Sequence, residues 1–326
     1  MNILITGIHG FVGSNLVEAL RSNHVIYGLD IVCPEKQGIK KTYNWSELDT
    51  IPTVDVVIHL AGKAHDTKNR TEDQQYFEIN TGLTQKIFDW FQKTNAKKFI
   101  FFSSVKAAAD QLFQKILTED VIPAPVGPYG ESKIAAENYL LGRQLEAKNR
   151  LNAENTAENA KINAQTIYIL RPCMIHGEGN KGNLNLLFNF VRTGIPYPLG
   201  AFKNLRSFTS IDNLNYVIDK LISMSLPSGI YNLGDDDQVS TNEIIELIAE
   251  SIEKPVRIWK LPQCIVRFLA QIGTLLHIPV FNNDRLQKLT ENYVVSNEKI
   301  KKAIGVDRLP VDARTGFRKT FKNFVK

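Results

Sequence analysis

Apolar and polar residues follow two kinds of periodic pattern in the first 170 positions of the chain. Short runs rich in β-branched and aromatic residues predict strands at 2–6, 25–30, 54–60, 97–103 and 165–170. Between these runs apolar residues recur at spacings of three and four, as at Ile79, Leu83, Ile87 and Phe91, which predicts amphipathic helices. Because alternating strands and helices build right-handed crossovers, the pattern predicts an α/β fold with a doubly wound parallel sheet covered on both faces.

Beyond Arg171 the chain changes to short helical patterns separated by prolines and glycines. We therefore predict two parts, a doubly wound domain at 1–172 and a smaller α/β part at 173–326 that returns one strand to the sheet near 229–233. The second part is expected to be mainly substrate-binding. A stretch rich in Asn, Ala, Glu and Lys at 146–164 predicts an exposed helical extension or loop.

A glycine-rich turn follows the first predicted strand and opens a helical pattern. Gly7 permits a tight turn, Gly10 lets backbone N–H groups approach a pyrophosphate, and Gly13 allows close packing of helix and strand. Asp30 ends the second predicted strand, where a carboxylate can bind both ribose hydroxyls and repel a 2′-phosphate. The sequence thus predicts a Rossmann domain that binds NAD rather than NADP. The predicted ligands in the turn are Gly7, Gly10, Phe11, Val12 and Gly13.

A Tyr-x-x-x-Lys pattern stands at Tyr129 and Lys133. Residues four apart share one face of a helix, and an ammonium beside a phenol favours phenolate, so we expect the pKa of Tyr129 to fall from about 10 toward neutrality. Ser104 follows the strand predicted at 97–103 and should lie at the carboxyl edge of the sheet, where such folds bind ligands. The three side chains predict an acid–base site in which Tyr129 exchanges a proton with a hydroxyl or ketone and Ser104 bonds the reacting oxygen.

The formal net charge of +5 comes from the end of the chain. Residues 299–326 hold nine basic and two acidic residues, so the other 298 residues sum to −2. Phe317, Phe321 and Phe324 recur there at helical spacing, which predicts a buried stripe with basic side chains in solvent. We therefore expect no nucleic-acid partner.

Three scattered cysteines and six scattered histidines predict neither a disulfide framework nor a metal site. No signal-peptide pattern opens the chain, and we expect a cytoplasmic protein. The apolar stretch at 261–281 carries Arg267 and is broken by Pro279. It predicts an amphipathic, core-packed helix rather than a membrane span, so we expect no membrane partner.

These motifs have the order and spacing of the extended short-chain dehydrogenase/reductase superfamily, which the chain resembles over almost its whole length. The matching positions are 6–13, Asp30, 59–62, Asn80, Ser104, Tyr129, Lys133 and 170–172. Within the superfamily the chain resembles the NAD-dependent epimerase/dehydratase family. It is similar to UDP-glucose 4-epimerases and to 4-ketoreductases of bacterial surface polysaccharide pathways, the latter also at 60–65, 103–106 and 196–213.

The resemblance implies a catalytic triad of Ser104, Tyr129 and Lys133. It implies that Arg206 grips a substrate diphosphate, a task suited to its planar charged fork. Similar enzymes are dimers, so we expect a homodimer that pairs helices in the regions 80–95 and 129–145. The predicted cofactor contacts outside the turn are Asp30, Leu60, Ala61, Gly62, Asn80, Tyr129, Lys133 and Pro172, and the predicted substrate contacts are Ser104, Lys106, Asn183 and Arg206.

Two departures from related enzymes narrow the expected reaction. Dehydratases of this group carry an Asp-Glu pair directly after the catalytic hydroxyl, whereas Val105 and Lys106 follow Ser104, so we do not expect dehydration. Pro-Cys-Met at 172–174 stands where the best-known epimerases have Tyr-Phe-Asn, which moves the chain away from a housekeeping galactose enzyme.

The expected substrate is a nucleotide sugar, UDP-linked or similar, that reacts at C4. We favour a 4-epimerase that works through a transient 4-keto intermediate. The alternative is an NAD(P)H-dependent 4-ketoreductase of a UDP-4-keto-6-deoxy sugar, which would use the same residues. A non-catalytic dinucleotide sensor is a third hypothesis, against which the intact Ser104, Tyr129 and Lys133 argue.

Overall fold

Seven parallel strands form the central sheet of the protein, in the order β3-β2-β1-β4-β5-β6-β9, and two short strands form a second parallel pair, β7-β8. The computed structural model describes residues 1–64, 72–112, 114–153, 164–180, 182–276 and 282–325. The strands are β1 (Asn2–Thr6), β2 (Val25–Asp30), β3 (Lys41–Asn44), β4 (Val56–His59), β5 (Lys98–Phe102), β6 (Thr166–Pro172), β7 (Met174–His176), β8 (Phe208–Ser210) and β9 (Gly229–Leu233).

Helices connect the strands and cover both faces of the large sheet. They are α1 (Phe11–Leu20), α2 (Asp73–Tyr76), α3 (Leu83–Lys93), α4 (Val105–Ala108), α5 (Pro128–Ala153), α6 (Asn183–Arg192), α7 (Ile211–Ser223), α8 (Thr241–Ser251), α9 (Gln263–Leu275), α10 (Asn283–Thr290), α11 (Glu298–Ile304) and α12 (Ala313–Val325). A 3₁₀ segment occupies Trp45–Thr50, and a π-helical segment, Phe77–Gly82, joins α2 to α3.

The sheet is apolar on both faces because successive side chains of each strand point to opposite sides. Ile3 and Ile5 of β1 pack into one core cluster with α1 and α7, whereas Leu4 packs into the other cluster with α3 and α5. This arrangement requires nearly continuous apolar strands, as a parallel sheet does. The predicted doubly wound α/β fold is confirmed.

The strands differ from the predicted ones mainly where they are short. β4 spans only Val56–His59 of the predicted 54–60. β3 at the sheet edge and the pair β7-β8 escaped prediction, because strands of three or four residues carry no clear alternation. β9 forms at Gly229–Leu233 and pairs in parallel with β6. The division into parts at 172 stays a prediction.

The C-terminal helix α12 buries the predicted aromatic stripe. Phe317 and Phe321 are fully buried in a core cluster with α6 and α8, while Arg314 and Arg318 pair with glutamates of α8. In the predicted extension at 146–164, α5 continues to Ala153, and 154–163 lie outside the described residues. Within the described ranges no helix is long and apolar enough to cross a membrane.

Candidate active site

The glycine turn lies at the carboxyl end of β1 and leads into α1. Gly7 has a φ of +66°, and its N–H donates to the carbonyl of Leu29 at 2.9 Å. A Cβ added to Gly7 would lie 2.9 Å from Cα of Ala61, and one on Gly13 would lie 2.6 Å from the carbonyl oxygen of Ile8. The first helical turn, which includes Phe11 and Val12, begins at Gly10 without a side-chain cap, so its N–H groups stay available to an anion.

Asp30 ends β2 beside this turn. One carboxylate oxygen accepts from the backbone N–H of His9 at 3.1 Å, and the other accepts from Ile31 at 2.7 Å. The carboxylate is therefore held against the glycine turn by backbone donors. In dinucleotide-binding domains of this kind, the carboxylate that binds the ribose lies at this position, so the location of Asp30 agrees with its predicted role.

The segment after β4 packs between the glycine turn and α5. The N–H of Ala61 donates to the hydroxyl of Thr6 at 3.0 Å. A Cβ on Gly62 would lie 2.9 Å from Oδ1 of Asn80 and 3.1 Å from Nζ of Lys133. The structure thus brings the predicted residues at 60–62, Asn80 and Lys133 to one place, and it leaves no room for a side chain at Gly62.

Asn80 sits fully buried in the π-helical segment, a distortion that often marks functional sites. Its amide clamps the backbone of Lys63, with Oδ1 accepting at 2.7 Å and Nδ2 donating at 3.2 Å, and Nδ2 also donates to the hydroxyl of Ser132 at 3.0 Å. Asn80 therefore ties the end of β4 to α5. These contacts make Asn80 a structural link within the site. A direct contact of Asn80 with the cofactor stays a prediction.

His59 is a buried structural residue next to the same part of the site. It is fully buried, with Nδ1 2.6 Å from the hydroxyl of Thr6 and Nε2 3.0 Å from that of Thr84. Burial, and then the nearby Lys133, lower the pKa of His59 to about 3. The imidazole is therefore neutral and acts as a structural link between β1, β4 and α3.

Ser104, Tyr129 and Lys133 converge at the carboxyl end of β5. Ser104 caps α4, and its hydroxyl forms a side-chain hydrogen bond with Tyr129. Lys133 is buried, donates to the carbonyl of Phe102 at 2.9 Å, and lies 5.1 Å from the ring centroid of Phe101. The sequence-predicted trio lies together because Lys133 of α5 reaches the end of β5 and Tyr129 of α5 meets Ser104, which follows β5.

The electrostatics of the trio differ from the sequence expectation. Burial raises the pKa of Tyr129, the hydrogen bond from Ser104 lowers it, and Tyr76 raises it again. Burial lowers the pKa of Lys133 to about 8, although Glu137 acts in the opposite direction. The expected lowering of the Tyr129 pKa is wrong for the protein groups alone, since burial raises this pKa and exceeds the opposing effect of the hydrogen bond with Ser104.

Two neighbours of this cluster escaped sequence analysis. The ring of Tyr76 meets that of Tyr129 edge-on, at 6.3 Å between centroids. Glu137, fully buried one turn beyond Lys133 on α5, binds Arg171 of β6 through two guanidinium nitrogens at 3.0 and 2.6 Å and accepts from the hydroxyl of Ser103. The spacing of four residues between Lys133 and Glu137 could have predicted that both lie on one face of α5. No sequence pattern could have predicted the contact between Tyr76 and Tyr129.

Two of the predicted substrate contacts, Lys106 and Arg206, lie in one neighbourhood of the structure. Nζ of Lys106 lies 2.9 Å from a carboxylate oxygen of Asp110 and 4.6 Å from the ring centroid of Tyr293. Burial raises the pKa of Glu291, and the charges of Lys106 and Arg206 lower it, so both cations face the same carboxyl. The two predicted substrate contacts thus share one neighbourhood although 100 residues separate them in the chain.

Asn183 and Pro172 occupy different places. Asn183 is exposed at the start of α6, after a loop in which Gly179 approaches Phe11 of the glycine turn. The described contacts join Asn183 neither to the glycine turn nor to Arg206, so its predicted contact with the substrate stays a prediction. Pro172 is buried at the end of β6, opposite Leu233 of β9, on the same carboxyl edge as Ser104.

The residues present fit a dinucleotide. Gly7, Gly13 and Gly62 form a cradle in which an added Cβ would collide with backbone or with buried polar atoms. Uncapped N–H groups begin α1, and the carboxylate of Asp30 lies beside them. A pyrophosphate and a ribose require these groups in this order.

Comparison with known proteins agrees with this geometry. The chain is 29% identical to a UDP-glucose 4-epimerase of Vibrio cholerae, over all of this chain and 96% of that one. It is 27% identical to an N-acetyl-alpha-D-glucosaminyl-diphospho-ditrans,octacis-undecaprenol 4-epimerase of Escherichia coli O157:H7, over 92% of this chain and 85% of that one.

Among solved structures, a UDP-glucuronic acid 4-epimerase of Bacillus cereus in complex with NAD shares the fold, with a TM-score of 0.70 and 19% identity over 100% of this chain and 99% of that chain. The model of the NAD dependent epimerase/dehydratase family matches residues 3–234. NAD, the predicted cofactor, is the cofactor of this family. The resemblance seen in the sequence is therefore confirmed, and the chain belongs to the NAD-dependent epimerase/dehydratase family.

Proposed function

We propose that the protein is an NAD-dependent 4-epimerase of a nucleotide sugar, with a UDP-sugar as substrate. The observation that carries the proposal is the convergence of Ser104, Tyr129 and Lys133 beside the glycine turn, at the carboxyl edge of the sheet. The two full-length relatives named above are both 4-epimerases. Val105 and Lys106 follow Ser104, so the chain lacks the acid and base that a dehydratase places there.

The cofactor would be held by the glycine turn, by Asp30 and by the residues at 60–62. When bound, NAD supplies a reversible acceptor for the hydride of the sugar C4. Tyr129 removes the proton of the C4 hydroxyl and returns it later, while the hydroxyl of Ser104 bonds the reacting oxygen. Lys133 stabilises the phenolate of Tyr129, and the positive charge of an oxidised nicotinamide acts in the same direction.

Lys106 and Arg206 are the proposed ligands of the substrate diphosphate. Both cations lie near Tyr293 and Glu291, in the part of the protein that faces the carboxyl edge of the sheet. A guanidinium and an ammonium in one neighbourhood favour a group with two negative charges. Asn183, exposed at the start of α6, is a further proposed substrate ligand.

The reaction is tested with the purified protein and three substrates. We would denature one sample and measure released NAD, then incubate the native enzyme with UDP-glucose, UDP-N-acetylglucosamine or a UDP-4-keto-6-deoxy sugar. Inversion at C4 without added cofactor supports the epimerase. Stoichiometric consumption of NADH with the keto sugar and no inversion would replace it by the 4-ketoreductase, and bound NAD with no turnover of any substrate would favour the non-catalytic sensor.

Two further expectations stay predictions. A homodimer that pairs α3 and α5 of two copies should appear in analytical ultracentrifugation. The division of the chain into a cofactor domain at 1–172 and a mainly substrate-binding part at 173–326 should appear as two sets of amides that NAD and UDP protect separately in hydrogen exchange.

A further inference from the structure

The chain that leaves β5 is bound to α5 through three consecutive residues, 102–104, which we call the β5 junction. The carbonyl of the first residue accepts from Nζ of Lys133 at 2.9 Å. The hydroxyl of the second donates to Glu137, and the hydroxyl of the third bonds Tyr129. Because Tyr129, Lys133 and Glu137 follow one another at a spacing of four, they lie on one face of α5. The β5 junction thus carries both the acceptor of Lys133 and the hydroxyl that bonds Tyr129.

Glu137 anchors the middle of this junction in the protein interior. Its side chain is fully buried, and Oε1 accepts from the hydroxyl of Ser103 and from Nε of Arg171, the latter at 3.0 Å. Oε2 accepts from Nη2 of Arg171 at 2.6 Å. A buried carboxylate is costly unless it is paired and hydrogen-bonded. These donors meet that requirement and hold the carboxylate in one place.

Strand β6 holds the junction at the same residue. The N–H of Ser103 donates to the carbonyl of Leu170 at 2.8 Å, and the next residue of β6 is Arg171, which binds Glu137. Ser103 is therefore fixed through its backbone by β6 and through its side chain by Glu137. Since Ser103 stands in the middle of the junction, a rotation of its backbone would displace the groups on either side of it.

We propose that Glu137 is a positioning residue for the proposed reaction. Through Ser103 it fixes the groups that hold Lys133 and Tyr129, and its negative charge acts on the ammonium of Lys133. Because Glu137 is fully buried, it acts through these neighbours rather than on a substrate. The inference rests on the proposed function, since Tyr129 and Lys133 are groups of that reaction.

Among the described residues, the negative charge that acts on Lys133 is that of Glu137. Burial lowers the pKa of Lys133 to about 8, and Glu137 opposes this lowering. Burial, and then Lys133, lower the pKa of His59 of β4 to about 3, so this neighbour is neutral. Tyr129 lies one turn earlier on α5, and Arg171 lies beyond Glu137. Loss of the charge at Glu137 should therefore lower the pKa of Lys133 further, so that the ammonium is lost at a lower pH.

Two variants separate the charge of Glu137 from its hold on the junction. Glu137→Gln removes the charge and keeps an oxygen that can accept from Ser103. It should move the pH at which Lys133 loses its proton down by about one unit. Ser103→Ala keeps the charge and removes the hydrogen bond. It should lower kcat about tenfold through misplacement of the reacting groups, with KM and the pH midpoint little changed.

The pH midpoint is measured in two ways. Initial rates on the accepted nucleotide sugar are followed from neutral to alkaline pH. Independently, the lysine signals of protein with isotopically labelled lysine are titrated by NMR, and the signal of Lys133 is identified by its absence in Lys133→Arg. The second measurement needs no substrate.

Three control variants remove similar groups or lower stability elsewhere. Glu146→Gln removes a paired carboxylate from the exposed part of α5, and Ser251→Ala removes a hydroxyl that donates to the carbonyl of Ile248 in α8. Phe321→Leu alters a separate core cluster. All three should keep the wild-type kcat and pH midpoint. Every variant must retain NAD binding and a cooperative thermal transition, which shows that it folds.

The two measurements keep this inference distinct from the proposed function. If the wild-type protein turns over no nucleotide sugar, the proposed function fails, and the NMR midpoints still decide whether Glu137 acts on Lys133. The inference is overturned if Glu137→Gln leaves the midpoint of Lys133 unchanged. It is also overturned if Ser103→Ala keeps the wild-type kcat of an active enzyme.

Discussion

Helices α5 and α9 both depart from the rule that apolar side chains lie inside and polar ones outside, and they do so in opposite ways. On α5 the residues Ser132, Lys133 and Glu137 are buried. On α9 the apolar residues Phe268 and Leu275 are exposed. Each of these three buried side chains of α5 has a hydrogen-bond partner within the protein. The outer face of α9, by which we mean the side that holds Phe268 and Leu275, stays largely exposed in the part of the chain that the structure describes.

Each departure has a different effect on the free energy of folding. Burying a charge costs free energy unless it is paired and hydrogen-bonded, so α5 can carry Lys133 and Glu137 only because β5 and β6 supply a carbonyl and Arg171. Exposing apolar area forgoes about 25 cal/mol per Å², which a partner can recover later. The buried side chains of α5 thus belong to the proposed site, and the exposed side of α9 leaves apolar area in contact with solvent.

The sharpest test of α5 is Tyr129→Phe. Removing the phenol removes the acid–base group, so turnover should fall about 10²- to 10⁴-fold, while NAD binding stays intact. The matched control is Tyr139→Phe on the same helix, whose hydroxyl bonds Asp89 outside the cluster. Initial rates on the accepted nucleotide sugar decide the matter, and a fully active Tyr129→Phe enzyme would refute the assigned chemistry.

A second test removes a buried charge from α5. Glu137→Ala leaves Arg171 buried and unpaired, so we expect the free energy of unfolding to fall by about 3–5 kcal/mol. Glu146→Ala breaks exposed pairs on the same helix and should change it by about 0–1 kcal/mol. Urea unfolding of both variants measures the contrast. Equal losses would mean that the buried pair contributes no more than a surface pair.

The buried cation of α5 also predicts a pH dependence. Burial lowers the pKa of Lys133 to about 8, so the ammonium is present below this pH and lost as the pH rises through it. Because the proposed reaction uses the ammonium of Lys133, the turnover rate should fall about tenfold for each pH unit above 8. Lys148→Gln, a change at an exposed lysine of α5, should keep the same profile. Turnover that stays level to pH 10 would show that Lys133 is not needed as a cation.

The smallest expected effect concerns the folding role of α9. Phe268→Ser on the outer face should change the free energy of unfolding by no more than about 0.5 kcal/mol. Ala270→Leu, two positions away on the buried side, should lower it by about 1–3 kcal/mol through overpacking. Denaturant unfolding compares the two. A large decrease in the free energy of unfolding for Phe268→Ser would show that the outer face is part of the core. The contrast between α5 and α9 would then be wrong.

The elements that sequence reasoning predicted are those with local signals. The strand at 2–6 is an apolar run that ends at a glycine turn, and Tyr129 and Lys133 share a helical face. Sequence reasoning missed β3 because this strand has four residues and buries one of them, Tyr43. One buried position is not enough to show an alternating pattern. The contact between Lys106 and Tyr293 spans nearly 190 positions, and no spacing rule connects residues so far apart.

The sequence by itself determined the fold class, and it predicted the glycine turn and the trio of Ser104, Tyr129 and Lys133 that the structure brings to one edge of the sheet, because periodicity, glycine geometry and helical spacing are local properties. Only the tertiary structure decided that Glu137 pairs with Arg171, that burial raises the pKa of Tyr129, and that the outer face of α9 meets solvent. The physical reason is that burial and electrostatic environment depend on which distant segments pack together. The same apolar period is compatible with a core or with a docking surface until the neighbours are known.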